Sequence, residues 1–179
     1  VFNTIEGGAV ITNSKIIKSK LDKLKNFGYE NETSVVLPGM NAKLNELQAA
    51  YGLLQLKSHE ENVSKRERIY LRYKKNLSLV KGITFMDEIK GLKWNYCYCP
   101  ILVTKKYPTS RDNLYFKLKN SGYYGRRYFY PLITDFKIYE KYKSKFPIAK
   151  NLSDSVICLP IYPELDLDNV DAISKIISN

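Results

Sequence analysis

The feature that most constrains this chain is a helical repeat running from Ala42 to about Lys75. Leu44, Leu47, Tyr51 and Leu54 recur at steps of three and four, and the pattern continues less cleanly from Glu60 onward. One helix of that length is unusual in a globular protein, so a break is expected near Lys57 to Glu61. The second part is densely charged (Lys65, Arg66, Glu67, Arg68, Arg72) and is expected on the surface, linking two domains.

Before the repeat, Gly8 to Thr12 reads as a short strand. Asn13 or Ser14 caps a helix whose apolar stripe is Ile16, Ile17, Leu21 and Leu24, and Gly28 ends it. Glu30 to Pro38 reads as a polar loop. After Gly82, Trp94 to Val103 is rich in aromatic and β-branched residues and predicts a strand, with a bulge or an edge position at Pro100 because proline cannot donate to a ladder. Thr109 or Ser110 caps a helix to about Leu118, closed by Gly122. Tyr123 to Tyr130 follows as a strand or extended loop, and short helices fit Ile138 to Tyr142 and Leu167 to Ile177. These elements read as a compact α+β module behind a long connecting helix.

Several functions are disfavoured at once. The longest apolar runs, such as Ile101 to Val103, fall far short of the roughly 20 residues needed to cross a bilayer. Cys97, Cys99 and Cys158 make no disulfide framework; Cys97 and Cys99 fall on one face of the predicted strand and read as reduced thiols. No metal site is expected, since His59 is the only histidine, and its charged surroundings suggest a solvent-facing residue. P-loop and dinucleotide-binding glycine patterns are absent. The net charge of +11 suits nucleic acid, an anionic surface or a phosphate-bearing ligand, yet the lysines are scattered (Lys15 to Lys25, then Lys137, Lys141, Lys143 and Lys145).

Three segments are candidates for chemistry. Glu6, Gly7 and Gly8 make a turn where backbone can approach a ligand closely, or simply a turn. Asn41 stands at a predicted helix start, where amide groups favour a phosphate, or it is merely the cap. Arg126, Arg127 and Tyr128, within Gly125 to Pro131, either clamp a diphosphate or pack as arginines on aromatic faces.

In order along the chain, Val-Phe-Asn-Thr-Ile-Glu-Gly-Gly-Ala-Val, Lys-Asn-Phe-Gly-Tyr, Gly-Met-Asn-Ala-Lys-Leu-Asn-Glu-Leu-Gln-Ala-Ala, Arg-Arg-Tyr-Phe-Tyr-Pro-Leu and Leu-Pro-Ile-Tyr-Pro-Glu-Leu resemble the DegT/DnrJ/StrS-type sugar aminotransferases. The likeness covers essentially the whole chain, and the opening and Arg-Arg segments look closest to members acting on dTDP-linked deoxy-keto-sugars.

The resemblance implies a fold class of α/β and α+β: the end of a fold type I α/β large domain that binds pyridoxal phosphate (1–56), a connecting helix (57–80) and a small C-terminal α+β domain (81–179). It implies a cytoplasmic homodimer, and Asn41 reaching the cofactor phosphate of the partner subunit. Glu6, Gly7 and Gly8 would shape the cofactor loop, while Arg126, Arg127 and Tyr128 would line the nucleotide-sugar pocket. The family's Schiff-base lysine directly precedes the segment matching Val1, so no catalytic residue is expected in this chain. A start at Val1 rather than Met fits a fragment. The implied reaction moves an amino group from a donor such as glutamate to the keto-sugar, for polysaccharide or lipopolysaccharide building. Two alternatives stand beside it: a pyridoxal-phosphate-dependent sugar dehydratase of the same family, in which histidine replaces the lysine, and a basic non-enzymatic binding module.

Overall fold

A computed structural model describes residues 1–87, 89–142 and 146–179, so Lys143 and Lys145 lie outside the described residues. The chain forms two compact units, Phe2–His59 and Glu60–Asn179, with Val1 belonging to the second.

The first unit contains α1 (Lys15–Leu24), β1 (Tyr29–Asn31), β2 (Ser34–Val35) and α2 (Glu46–Lys57). The Ile17 amide donates to Ser14 Oγ at 3.3 Å, which makes Ser14 the expected cap of α1. Beyond α1 the Gly28 N–H returns to the Lys23 carbonyl at 2.8 Å. Gly28 has φ +84°, and a Cβ there would collide with the Leu37 carbonyl, so glycine is required.

Two expectations fail ahead of the helical repeat. The stretch read as a polar loop holds the β1–β2 hairpin, turned by Asn31, whose Oδ1 accepts the Thr33 N–H at 3.0 Å. Conversely, Gly8 to Thr12 is irregular, and Val10 and Ile11 are exposed. A strand needs a ladder, and among the described residues no segment pairs with this one.

The helical repeat breaks at Ser58, inside the expected window, between α2 and α3 (His59–Leu77). The start of α2 differs from expectation: its cap is Asn45, whose Oδ1 accepts the Gln48 N–H at 2.9 Å, and Asn41 lies outside the helix. His59, expected to face solvent, is half-buried, and its Nδ1 has no partner among the described residues.

The second unit adds β3 (Ile83–Phe85), β4 (Cys99–Val103), α4 (Arg111–Asn120), two 3-10 turns (Ile133–Asp135, Lys137–Tyr142), α5 (Pro147–Ser155), β5 (Val156–Leu159) and α6 (Leu167–Ser178). Its antiparallel sheet has the order β3-β4-β5. Ile69, Tyr70, Tyr73 and Leu77 form one stripe of α3 and are buried in a core with Cys99 and Ile101 of β4, Leu114 and Leu118 of α4, and Ile173 of α6. Full burial of each aliphatic member contributes about 1.5–3 kcal/mol. One apolar stripe of the charged second half is thus built into a core, while its charged residues, Lys65, Arg66, Glu67, Arg68 and Arg72 among them, stay half-buried or exposed. Arg72, among its charges, makes a forked pair with Asp171 of α6 at 2.7 and 2.5 Å.

Pro100 occupies the central strand, not an edge, and the register explains why this is tolerated. Pro100 faces Cys158 of β5, but the Cys158 N–H and C=O both bond outward to Arg126. The two residues are therefore a non-hydrogen-bonded pair, and the nitrogen of Pro100 points toward β3. The last pair of that ladder is Phe85 with Ile101, so β3 has already ended there. The missing donor has no acceptor to disappoint.

The predicted strand is also shorter than expected. Trp94 and Tyr96 stack at 6.2 Å and surround Tyr70 with Phe85, so these aromatics serve packing rather than a ladder. Cys97 falls outside the strand and shares no strand face with Cys99. Tyr73 is 0% exposed, and its hydroxyl has no partner among the described residues. Tyr73→Phe removes that orphan, so stability is expected to hold or to rise by about 1 kcal/mol. A urea midpoint that falls would show that the hydroxyl is satisfied after all.

Candidate functional site

In the second unit a cavity of about 660 Å³ opens beside the outer edge of β5. It is lined by Tyr115 of α4, by the loop from Gly125 through Thr134, and by Phe136, Phe146 and Ala149. The loop is held on β5 by main-chain bonds: the Arg126 N–H donates to the Cys158 carbonyl at 2.9 Å, and the Cys158 N–H donates to the Arg126 carbonyl at 2.7 Å. Gly125 allows this close approach, since a Cβ there would meet Ile157 Cγ2 at 3.0 Å. All three pocket residues expected from the sequence, Arg126, Arg127 and Tyr128, line this cavity.

The two arginines differ in their surroundings. Arg127 lies over the rings of Tyr115 (4.4 Å) and Tyr130 (4.9 Å), and its Nη1 donates to Asp112 at 2.9 Å. Arg126 has an exposed side chain, without a polar partner among the described residues. Between the diphosphate clamp and the aromatic-packed arginine, the geometry thus gives Arg127 the second arrangement. Tyr128 packs edge-on against Tyr98 at 5.3 Å.

Arg111 and Asp112 back this wall through Tyr130 and Arg127, and sequence reasoning did not single out either of them. Arg111 is 4% exposed; its Nη1 donates to the carbonyls of Ser153 (2.6 Å) and Val156 (3.0 Å), its Nε to Asp112 (2.7 Å), and its guanidinium lies over Tyr130 at 4.6 Å. Burial alone would raise the Asp112 carboxyl, but the hydrogen bond from Arg127 and the charge of Arg111 outweigh it and hold the group below its usual range. Cys158, beneath the loop, is pushed up to about 11 by burial, with the Tyr128 amide opposing, so it stands as a neutral thiol.

The remaining candidates belong to the first unit. Asn41 forms a backbone bridge with Asn26, and its exposed carboxamide has no partner among the described residues. Lys43 donates to Asn26 at 3.0 Å, which brings a cation to the same turn. The Glu6 carbonyl accepts from Gln48 Nε2 at 2.7 Å and from Thr4 Oγ1 at 3.1 Å, which ties the Glu6–Gly8 turn to the first turn of α2. A Cβ on Gly7 would collide with Thr4 Oγ1, and at Gly8 there is open space. Gln48 is a positioning residue that the sequence reading passed over, although it sits in the quoted block around Asn41.

Comparison with known proteins gives this geometry a setting. The family model for the DegT/DnrJ/EryC1/StrS aminotransferases matches residues 1–178. The chain is 40% identical over 175 residues to the dTDP-4-amino-4,6-dideoxy-D-glucose transaminase of Shigella dysenteriae, covering 97% of this chain and 48% of that protein. It is 30% identical over 184 residues to the GDP-perosamine synthase of Vibrio cholerae, again covering 97% and 48%. Among solved structures, DesI in the presence of its TDP-sugar product superposes with a TM-score of 0.88 at 25% identity, covering 99% of this chain and 46% of that one. Helicobacter pylori PseC, an aminotransferase involved in the biosynthesis of pseudoaminic acid, gives 0.86 at 27% identity, covering 97% and 48%. The chain spans about half the length of the curated relatives it matches, and its mixed architecture is that of a fold type I fragment, as expected. By sequence and by fold alike, the chain belongs to the DegT/DnrJ/EryC1/StrS aminotransferase family.

Proposed function

We propose that the complete polypeptide carrying this chain is a pyridoxal-phosphate-dependent transaminase whose amino acceptor is a dTDP-linked deoxy-keto-sugar and whose donor is glutamate. The observation that carries the reading is the 40% identity, across nearly the whole chain, with a transaminase named for a dTDP-linked aminodideoxyglucose. The cavity of the second unit supports it: an aromatic wall with a free guanidinium at its mouth suits a base or sugar ring that carries a diphosphate.

The residues present also fit the cofactor. An exposed, uncommitted carboxamide at Asn41, beside a lysine-bearing turn, has the donor chemistry that a phosphate requires. Pyridoxal phosphate, when bound, supplies the electron sink through which nitrogen moves from donor to sugar. Asn41 would hold the cofactor phosphate of the partner subunit in a homodimer, and the Glu6–Gly8 turn, fixed by Gln48, would shape the loop beside the ring. Arg126 and the aromatic wall would bind and orient the nucleotide-sugar and exclude water. With a nucleotide-linked substrate, we place the reaction in the cytoplasm and its product in polysaccharide or lipopolysaccharide assembly.

The test is an assay of the full-length protein with glutamate and dTDP-4-keto-6-deoxyglucose. An amino-sugar product and a visible-range cofactor absorbance are expected; a protein that retains no pyridoxal phosphate would defeat the reading. Asn41→Ala is expected to weaken cofactor binding by about 1.5–3 kcal/mol, the worth of one charge-assisted hydrogen bond. Unchanged cofactor affinity in an absorbance titration would remove the role given to Asn41.

A further inference from the structure

We infer that the adjacent arginines of the pocket do different work: Arg126 takes the anionic group of the ligand, whereas Arg127, committed to Asp112, positions the aromatic wall. The inference rests on the reading of this pocket as a nucleotide-sugar site.

Four observations carry it. Arg127 is already charge-paired, with Nη1 at 2.9 Å from Asp112, and its flat face is covered by Tyr115 and Tyr130. Recruiting it to a diphosphate would break that pair and unstack two rings. Asp112 also accepts from Arg111, whose guanidinium lies over the same Tyr130 ring. Tyr130 is therefore set by two guanidinium groups, and one carboxylate holds both of them. Arg126 is the exception in the cluster: its backbone is pinned on β5, it lines the cavity, and its side chain is exposed without a polar partner among the described residues. A guanidinium without a partner at a cavity mouth can form forked hydrogen bonds to a phosphate at no cost in existing contacts.

Asp112 is thus a positioning residue that acts through Arg127 and the tyrosines, without touching the ligand.

The experiment is calorimetric titration of the full-length protein with dTDP and with uncharged thymidine, each at several salt concentrations. Arg126→Gln is expected to weaken dTDP roughly ten- to hundredfold and to flatten its salt dependence, while leaving thymidine unchanged. Arg127→Gln and Asp112→Asn are expected to weaken both ligands by the same factor with the salt dependence intact, and the double variant to be no worse than the worse single one. Arg126→Gln is the variant least exposed to misfolding, because its side chain holds nothing in place, and the salt slope is a readout that a structural role alone would not move. The inference is overturned if Arg127→Gln flattens the salt dependence, or if Arg126→Gln leaves dTDP affinity unaltered. Failure of the unsubstituted protein to bind dTDP would instead overturn the nucleotide-sugar reading itself, and the inference with it.

Discussion

Replacing Arg111 with methionine is expected to lower the stability of the second unit by about 3 kcal/mol, read as a shift in the urea midpoint. Arg111 is almost fully buried, and one of its nitrogens serves the carbonyls of both Ser153 and Val156, at the junction of α5 and β5. Each buried acceptor left without a donor costs about 1–3 kcal/mol. Methionine restores apolar volume but no donor, so it offsets the loss only in part. The link to Asp112 adds little to this sum, because that carboxylate is half-exposed and keeps Arg127. Lysine should not rescue the variant, since a single ammonium cannot reproduce a planar fork that reaches two carbonyls and a carboxylate while stacking on Tyr130. An unchanged midpoint would mean that the carbonyls find water.

The second large effect is expected at Gly39. A Cβ there would meet three backbone groups at once: the Gly28 nitrogen, the Phe27 carbonyl carbon at 2.6 Å and the Leu24 oxygen at 2.7 Å. Backbone neighbours cannot swing aside as a side chain can. The segment is also laced onto the end of α1 by Met40 N–H to Leu24 (2.9 Å), Phe27 N–H to Met40 (3.1 Å) and Ala42 N–H to Lys25 (2.9 Å). Gly39→Ala must push the segment away and strain this lacing, at a cost of about 3 kcal/mol. Asn41 lies two residues further on, so on the role proposed for it cofactor affinity should fall about as far as in Asn41→Ala. Normal melting together with normal cofactor retention would show that the segment relaxes freely.

The parts of the fold that were legible in the sequence are those written in local chemistry. Ser14 and Ser110 cap their helices by accepting amides three residues on, as their hydroxyls suggest, and the repeat breaks at Ser58 where its length demanded a break. The start of α2 was also readable and was misplaced: Asn45 followed by Gln48 three residues later is a capping pattern that outranks Asn41. Other elements depend on partners distant in sequence. Strand β5 is four apolar residues, all buried, with no alternation to mark it, and only its pairing with β4 makes it a strand. The position of Pro100 turns on where β3 stops, which no local pattern records. In the pocket, Arg126 to Tyr128 stood out as a charged and aromatic run. The separate fates of the two arginines depend on Asp112, fifteen residues before Arg127 in the first turn of α4, which no local pattern ties to the pocket.

The main-chain pair between Arg126 and Cys158 has a consequence for divergence. Because peptide groups alone fasten Arg126 to the sheet, its Cα is located independently of which side chains flank it. Apart from Gly125, whose lack of a side chain permits the close approach, neighbouring positions could be exchanged to suit a differently shaped ligand without relocating the cation. On the role proposed for Arg126, drift in specificity and retention of the anion contact would thereby be uncoupled, one residing in replaceable side chains and the other in the pairing of two peptide groups.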